Sequence, residues 1–190
     1  MYYHASPVEG ITQLEPRISN HQTPLIYFSQ KRENVLVYLS NAVEKYCKET
    51  NYSYDGVWKK WASYGFDKNG TQYIEEYYPN ALENTYGGVD GYIYSVEKID
   101  ESDFALQIPY AAASRTPVKI SEAEYIPDAY LAILEAESKG LLRIVRYEEM
   151  TERQLAWLQK AIPKEYEEAA DHPEYRHFLR GHFSSLLEKK

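Results

Sequence analysis

The chain has 190 residues, a formal net charge of −8, 44% hydrophobic and 26% charged residues, a globular composition that argues against a wholly disordered polypeptide. An acidic balance of this size argues against nucleic-acid binding through bulk attraction to phosphates, and no apolar run approaches the roughly 20 residues that span a bilayer. Cys47 is the single cysteine, which excludes an intramolecular disulfide and suits a reducing, cytoplasmic setting. No basic segment followed by an apolar stretch opens the sequence, so a soluble intracellular protein is expected. The compositional anomaly is tyrosine, with 20 Tyr against five Phe and three Trp. Most aromatic positions therefore carry a hydroxyl and favour half-buried places with one wet end, such as clefts and interfaces.

In chain order, Met1-Tyr2-Tyr3-His4-Ala5-Ser6 reads as a first strand. Residues 7–24, with prolines, Gly10 and polar residues, read as a surface loop in which Ile11 and Leu14 anchor a single turn. Leu25-Ile26-Tyr27-Phe28-Ser29 is a second strand. It runs into a helix opened by Ser29 or Gln30, with Val35, Leu36, Leu39, Ala42, Val43 and Tyr46 at helical spacing. Cys47 lies in that pattern and reads as a buried apolar residue. A short helix is predicted over residues 55–63, and Asn69-Gly70 marks a tight turn. Residues 73–86 read as a broken helix interrupted by Pro79 and stopped by Gly87-Gly88.

The period then changes. Gly91-Tyr92-Ile93-Tyr94-Ser95-Val96 is rich in strand formers, a further strand is predicted from Asp103 to Ile108, and residues 117–123 alternate apolar with polar. Asp128 caps a helix that Gly140 stops, residues 141–147 read as a strand, and Thr151 with Gln154 opens another helix. A last helix starts at Pro173 and runs to Leu187. The whole reads as an α+β core over residues 1–150 followed by a helical segment, 151–190.

Each of the first two strands ends in small polar groups, where a backbone held by a sheet can present side chains to a ligand. If the strands are neighbours, His4, Ser6, Tyr27 and Ser29 are expected to converge on a common hollow. Arg17, Arg32 and Arg115 are candidates for gripping a pyrophosphate, against the default of solvated surface arginines. Other chemistries find less support. His172, His177 and His182 are spaced by five, which turns successive side chains by about 140° around a helix, so no metal site is expected. There is no Gly-x-Ser-x-Gly turn and no phosphate-cradling glycine loop. Glu165-Tyr166-Glu167-Glu168 reads as a solvated helix face.

The order of strand with His, long loop, strand with Tyr-x-Ser, helix and β-rich second half resembles the ADP-ribosyltransferase fold, especially its small bacterial rifampin-modifying members. Tyr3-His4-Ala5-Ser6 is similar to the family's first motif, with Ala in place of Gly, and Ile26-Tyr27-Phe28-Ser29 is similar to its second. Tyr92-Ile93-Tyr94-Ser95-Val96-Glu97 resembles the strand before the third motif, and Ser114-Arg115-Thr116-Pro117-Val118-Lys119-Ile120 one that follows it. The resemblance covers residues 1–126. It implies an ADP-ribosyltransferase-like split sheet that binds NAD, or a related nucleotide or small molecule. In that reading His4 and Ser6 hold a ribose, Tyr27 stacks on nicotinamide, and Ser29 and Arg17 line the cofactor site. Cleaving the ribose–nicotinamide bond builds positive charge on the sugar, which a carboxylate stabilises; Asp100, Glu101 and Asp103 are the candidates, with Asp100 and Glu101 foremost. The acceptor of the ADP-ribosyl group, whether protein or small molecule, is open. The rival reading is a non-enzymatic interaction module, with a vestigial cleft and a tyrosine-rich surface that docks a partner protein or a second copy.

Overall fold

The computed structural model describes residues 1–18, 23–54, 63–100 and 106–188. The protein is α+β, with antiparallel strand pairs and helices divided between two compact units. The elements in chain order are β1 (Tyr2–Ser6), β2 (Gln13–Leu14), β3 (Arg17–Ile18), β4 (Pro24–Ser29), a 3-10 helix (Glu33–Tyr38), α1 (Ala42–Glu49), β5 (Tyr64–Phe66), β6 (Gln72–Glu75), α2 (Ala81–Tyr86), β7 (Gly91–Val96), β8 (Ala111–Ser114), β9 (Val118–Lys119), β10 (Glu122–Ile126), α3 (Ala129–Ser138), β11 (Leu142–Val145), a 3-10 turn (Tyr147–Glu149), α4 (Glu152–Glu168) and α5 (Pro173–Leu187).

The first unit comprises Met1–Ser40, Gly65–Tyr73 and Tyr86–Arg143. Its main sheet has six strands in the order β10-β7-β1-β4-β3, with β8 also paired to β4. Strand β7 is paired on both sides: Tyr2↔Val96 through Ser6↔Tyr92 join it to β1, and Glu122↔Ser95 through Ile126↔Gly91 join it to the edge strand β10. Side chains opposite one another across an antiparallel pair share a face, and successive residues alternate between faces. One face thus carries Tyr2, His4, Ser6, Tyr92, Tyr94 and Val96. Leu14 and Val118, from the paired β2 and β9, close an apolar cluster there with Ile26, Phe28 and Val96. The opposite face carries Tyr3, Ala5, Gly91, Ile93 and Ser95 and meets the segment around the 3-10 helix. A Cβ at Gly91 would lie 2.7 Å from Leu39 Cδ2 and 3.1 Å from the Ser6 carbonyl oxygen, so glycine spares Leu39 and the neighbouring backbone a shift that any side chain here would force. Helix α3 packs on the 3-10 helix and starts where Asp128 Oδ1 accepts from the Leu131 amide at 3.0 Å.

The second unit comprises Asn41–Tyr64, Ile74–Thr85 and Ile144–Lys190. Its core gathers Val43 and Cys47 of α1, Tyr78 and Ala81, Leu158 and Ile162 of α4, and Phe178, Leu179 and Phe183 of α5. The cap foreseen at Thr151 is present: its Oγ1 accepts from the Gln154 amide (3.3 Å), and Gln154 Oε1 accepts from the Thr151 amide (2.9 Å). Pro173 stands at the start of α5, where its missing amide hydrogen costs nothing. The acidic stretch of α4 is not wholly solvated, because Glu165 Oε2 accepts from the Tyr175 hydroxyl at 3.1 Å.

The structure corrects several expectations. The single helix expected after Ser29 is two, because Asn41 turns extended (φ −122°, ψ 115°) and its Oδ1 caps α1 through the Val43 amide at 3.1 Å. Residues 73–86 begin as strand β6, alternately buried and half-buried, before α2. The alternating run 117–123 divides into β9 and the start of β10. Leu14, expected in a turn, belongs to β2. Residues 106–108 are not strand, while the alanine-rich β8 is. The helix predicted over 55–63 lies, apart from its last residue, outside the described residues, as do residues 101–105. The Asn69-Gly70 turn is present, with Gly70 at φ 76° and Asp67 Oδ1 accepting from the Asn69 and Thr71 amides at 2.8 and 2.9 Å.

Asn34, in the 3-10 helix, is 3% exposed, and neither its Nδ2 nor its Oδ1 has a hydrogen-bond partner among the described residues. Burying an unmatched amide opposes folding, whereas a similarly shaped apolar side chain carries no such penalty. Asn34→Leu is therefore expected to raise unfolding stability by about 1 kcal/mol, read as a higher urea midpoint. A lower midpoint contradicts this.

Candidate functional site

Strands β1 and β4 are neighbours, as the sequence suggested, but they meet antiparallel through Tyr3↔Ser29. The consequence for the expected site is geometric. Ser29 lies across from Tyr3, so Tyr27 and Ser29 take the Tyr3 face, whereas His4 and Ser6 take the opposite one. Ring contacts agree: the His4 ring lies 6.0 Å from that of Phe28, edge to face. Antiparallel pairing also sends the ends of the two strands in opposite directions, separating Ser6 from Ser29. The four side chains do not converge on one hollow.

Each of these groups has local work. His4 is half-buried, with Nδ1 2.9 Å from the Tyr27 carbonyl oxygen, to which its N–H donates. Desolvation holds the imidazole below its ordinary pKa, the Tyr27 carbonyl opposes that shift, and Arg17 adds to it. The ring is thus neutral at neutral pH, with Nε2 as its acceptor. Ser6 Oγ accepts from the Val8 amide (3.2 Å) and the buried Ser29 Oγ from the Lys31 amide (3.1 Å), so both hydroxyls brace turns. Arg17 is exposed on β3. Arg32 is committed to a two-pronged ion pair with Glu124, at 2.7 and 2.6 Å, and Arg115 is exposed. Asp100 is exposed beyond the end of β7, and Glu101 and Asp103 lie outside the described residues.

Two histidines of the second unit, His177 and His182, engage aromatic rings. His177 stacks on Tyr52 (centroids 4.1 Å) and its Nε2 is 2.8 Å from Thr50 Oγ1, while His182 stacks on Tyr78 (4.0 Å). His172 Nδ1 lies 3.8 Å from Glu174 Oε1. Among the described residues no group of three or more His, Cys, Asp or Glu has the disposition to hold a metal ion, and no helix is long and apolar enough to cross a membrane. An open groove of about 530 Å³ lies beside Tyr166, Arg176 and Arg180. Arg176 already donates there to the Tyr166 carbonyl at 2.8 Å.

The feature of the first unit best placed to meet another molecule is the edge of its sheet at β10, which among the described residues pairs with β7 alone. Four consecutive residues there, Glu122 to Tyr125, are exposed. Tyr125, 52% exposed, lies beside Tyr92 with ring centroids 5.3 Å apart. The next ring, Tyr94, is stacked on Tyr92 at 6.0 Å and donates from its hydroxyl to the Val8 carbonyl at 2.6 Å. Carboxylates flank the pair. The Tyr125 hydroxyl donates to Asp90 Oδ2 at 3.0 Å, and that bond, then desolvation, holds the phenol above its ordinary range. Desolvation first, and then Glu9, do the same to Tyr92. Sequence reasoning missed this cluster by ending the strand at residue 123; the alternation Glu122-Ala123-Glu124-Tyr125 was the signal that could have extended it. Comparison with protein-family models, with curated proteins and with solved structures finds no match to this chain.

Proposed function

We propose that the chain is a protein-recognition module that docks its partner on the β10 edge around Tyr92 and Tyr125. The observation that carries this reading is an exposed edge strand, β10, whose half-exposed Tyr125 stands beside Tyr92 of the neighbouring β7. An edge strand presents unpaired backbone donors and acceptors, and tyrosine supplies apolar area together with a hydroxyl at little entropic cost. For the ADP-ribosyltransferase-like reading, the support is the adjacency of β1 and β4, which share one bridged pair. Against it stand the opposite faces of His4 and Tyr27 and the turn-bracing roles of Ser6 and Ser29.

Selection of random peptides displayed on phage against the immobilised protein tests the module directly. Enriched clones are expected to lose binding when Tyr125→Ala replaces the target and to keep it with Leu131→Ala, an exposed position on α3. Failure to enrich, or enrichment indifferent to Tyr92→Ala and Tyr125→Ala, overturns the proposal. A calorimetric titration with NAD is expected to give no binding heat; micromolar binding lost in His4→Ala would restore the nucleotide reading.

A further inference from the structure

The charges around the β10 edge restrict what fits there. Glu122 and Glu124 lie on one face of the strand, opposite Ser95 and Ile93 of β7. On the other face Tyr125 and Tyr92 stand with Asp90 and Glu9. Arg32, the cation brought to this edge, has its guanidinium fork occupied by Glu124. A strand added beside β10 would therefore meet carboxylates on both of its faces. Like charges directly opposed across a strand pair are unfavourable, and charged residues on an edge resist self-pairing. A second copy of this chain, bringing its own Glu122 and Glu124, is for that reason a poor occupant. A basic segment is a good one: with Glu124 already paired to Arg32, its side chains reach the exposed Glu122, and a Lys or Arg can lie over the Tyr125 ring, as Lys31 lies 4.1 Å from the centroid of Tyr110 elsewhere in this unit.

Resting on the recognition reading above, we infer that the partner is an extended, lysine- or arginine-bearing polypeptide segment that adds to β10 as a further strand. Backbone hydrogen bonds to the edge would hold it, and carboxylates on both faces would select its charge. Steering of a basic segment by this acidic edge makes binding weaken as salt rises.

The test uses a fluorescein-labelled peptide of alternating Val and Lys, with fluorescence anisotropy at low salt. Three analogues accompany it: one with every Lys replaced by Glu, and two N-methylated on alternate amides, each blocking the hydrogen bonds of one edge of the peptide. The Lys peptide is expected to bind, the Glu peptide not to bind, and one N-methylated analogue to lose binding while the other keeps it. Glu122→Lys, at an exposed position where folding is checked by circular dichroism, is expected to weaken binding roughly tenfold, equivalent to about 1.4 kcal/mol. Equal binding by both N-methylated analogues overturns strand addition. Binding by the Glu peptide, or none by the Lys peptide, overturns the basic partner. If phage selection yields Tyr125-dependent peptides without basic residues, this inference fails while the recognition reading stands; if it yields none, both fail.

Discussion

Gly181→Ala is expected to destabilise the second unit by about 2 kcal/mol, within the range of about 1–3 kcal/mol seen when a packed site is overfilled. The sign is informative, because glycine inside a helix ordinarily costs about 1 kcal/mol relative to alanine, and Gly181 lies within α5, two residues before the helix kinks at Phe183 (φ −132°, ψ 26°). A Cβ here would fall on the Tyr46 ring, overlapping its hydroxyl and reaching within 2.9 Å of Cε1. Tyr46 has little freedom to retreat, since its ring is set against His177 (5.0 Å), Phe178 (5.9 Å) and His182 (4.6 Å). Urea unfolding measures the effect. In a Tyr46→Leu background the penalty is expected to vanish or reverse sign, and a stabilising Gly181→Ala in the native background contradicts this packing.

The pH dependence of the same core is the second large effect. His182 lies stacked on Tyr78 and near Phe178 (4.8 Å), and desolvation pushes its pKa down to about 4, with Glu49 acting in the opposite direction. The unfolded chain binds this proton near the ordinary histidine value of about 6.5. The contribution of the neutral ring is therefore complete above that value and is lost as pH falls through the interval towards 4. The ring keeps partial exposure, so solvent screening brings the expected loss to about 1–2 kcal/mol. His4 and His177 are shifted in the same direction, each mainly by desolvation, so the comparison must isolate His182. His182→Phe preserves a ring against Tyr78 without a titrating group. Between pH 7 and pH 4.5 the native chain is expected to lose about 1–2 kcal/mol more than this variant; equal losses contradict the assignment.

Much of the secondary structure was legible because local chemistry and tertiary packing agree. Gly91-Tyr92-Ile93-Tyr94-Ser95-Val96 is strand from first residue to last, and the caps at Asp128 and Thr151 and the Pro-first start at Pro173 begin α3, α4 and α5 where the sequence puts them. Strand β8 was not legible, because alanine has little intrinsic preference for strands. Its Ala112 and Ala113 take their place by pairing with the bulky Phe28 and Tyr27 of β4. The break at Asn41 was hidden by an apolar spacing that continues across it, with Leu36 and Leu39 before the cap and Val43 after it.

The candidate site was legible only to the level of neighbouring strands. What decides whether His4 faces Tyr27 is register, and a slip of one residue moves every side chain of a strand to its other face. No residue in either strand announces that Tyr3 will pair with Ser29. Had His4 stood there instead, it would have shared a face with Tyr27 and Ser29. The tyrosine excess pointed correctly to rings with one wet end, as Tyr92 and Tyr125 show, but their meeting depends on the register Tyr125↔Tyr92 between β10 and β7, which is equally invisible in one dimension.

The most direct measurement is a backbone amide shift map of the isotopically labelled protein, recorded as the alternating Val and Lys peptide is added. Perturbations are expected to concentrate on residues 121–126 of the sheet edge and on Tyr92 beside it. Perturbations centred instead on the α4–α5 groove lined by Tyr166 and Arg180, or on His4 and Tyr27, would contradict the account.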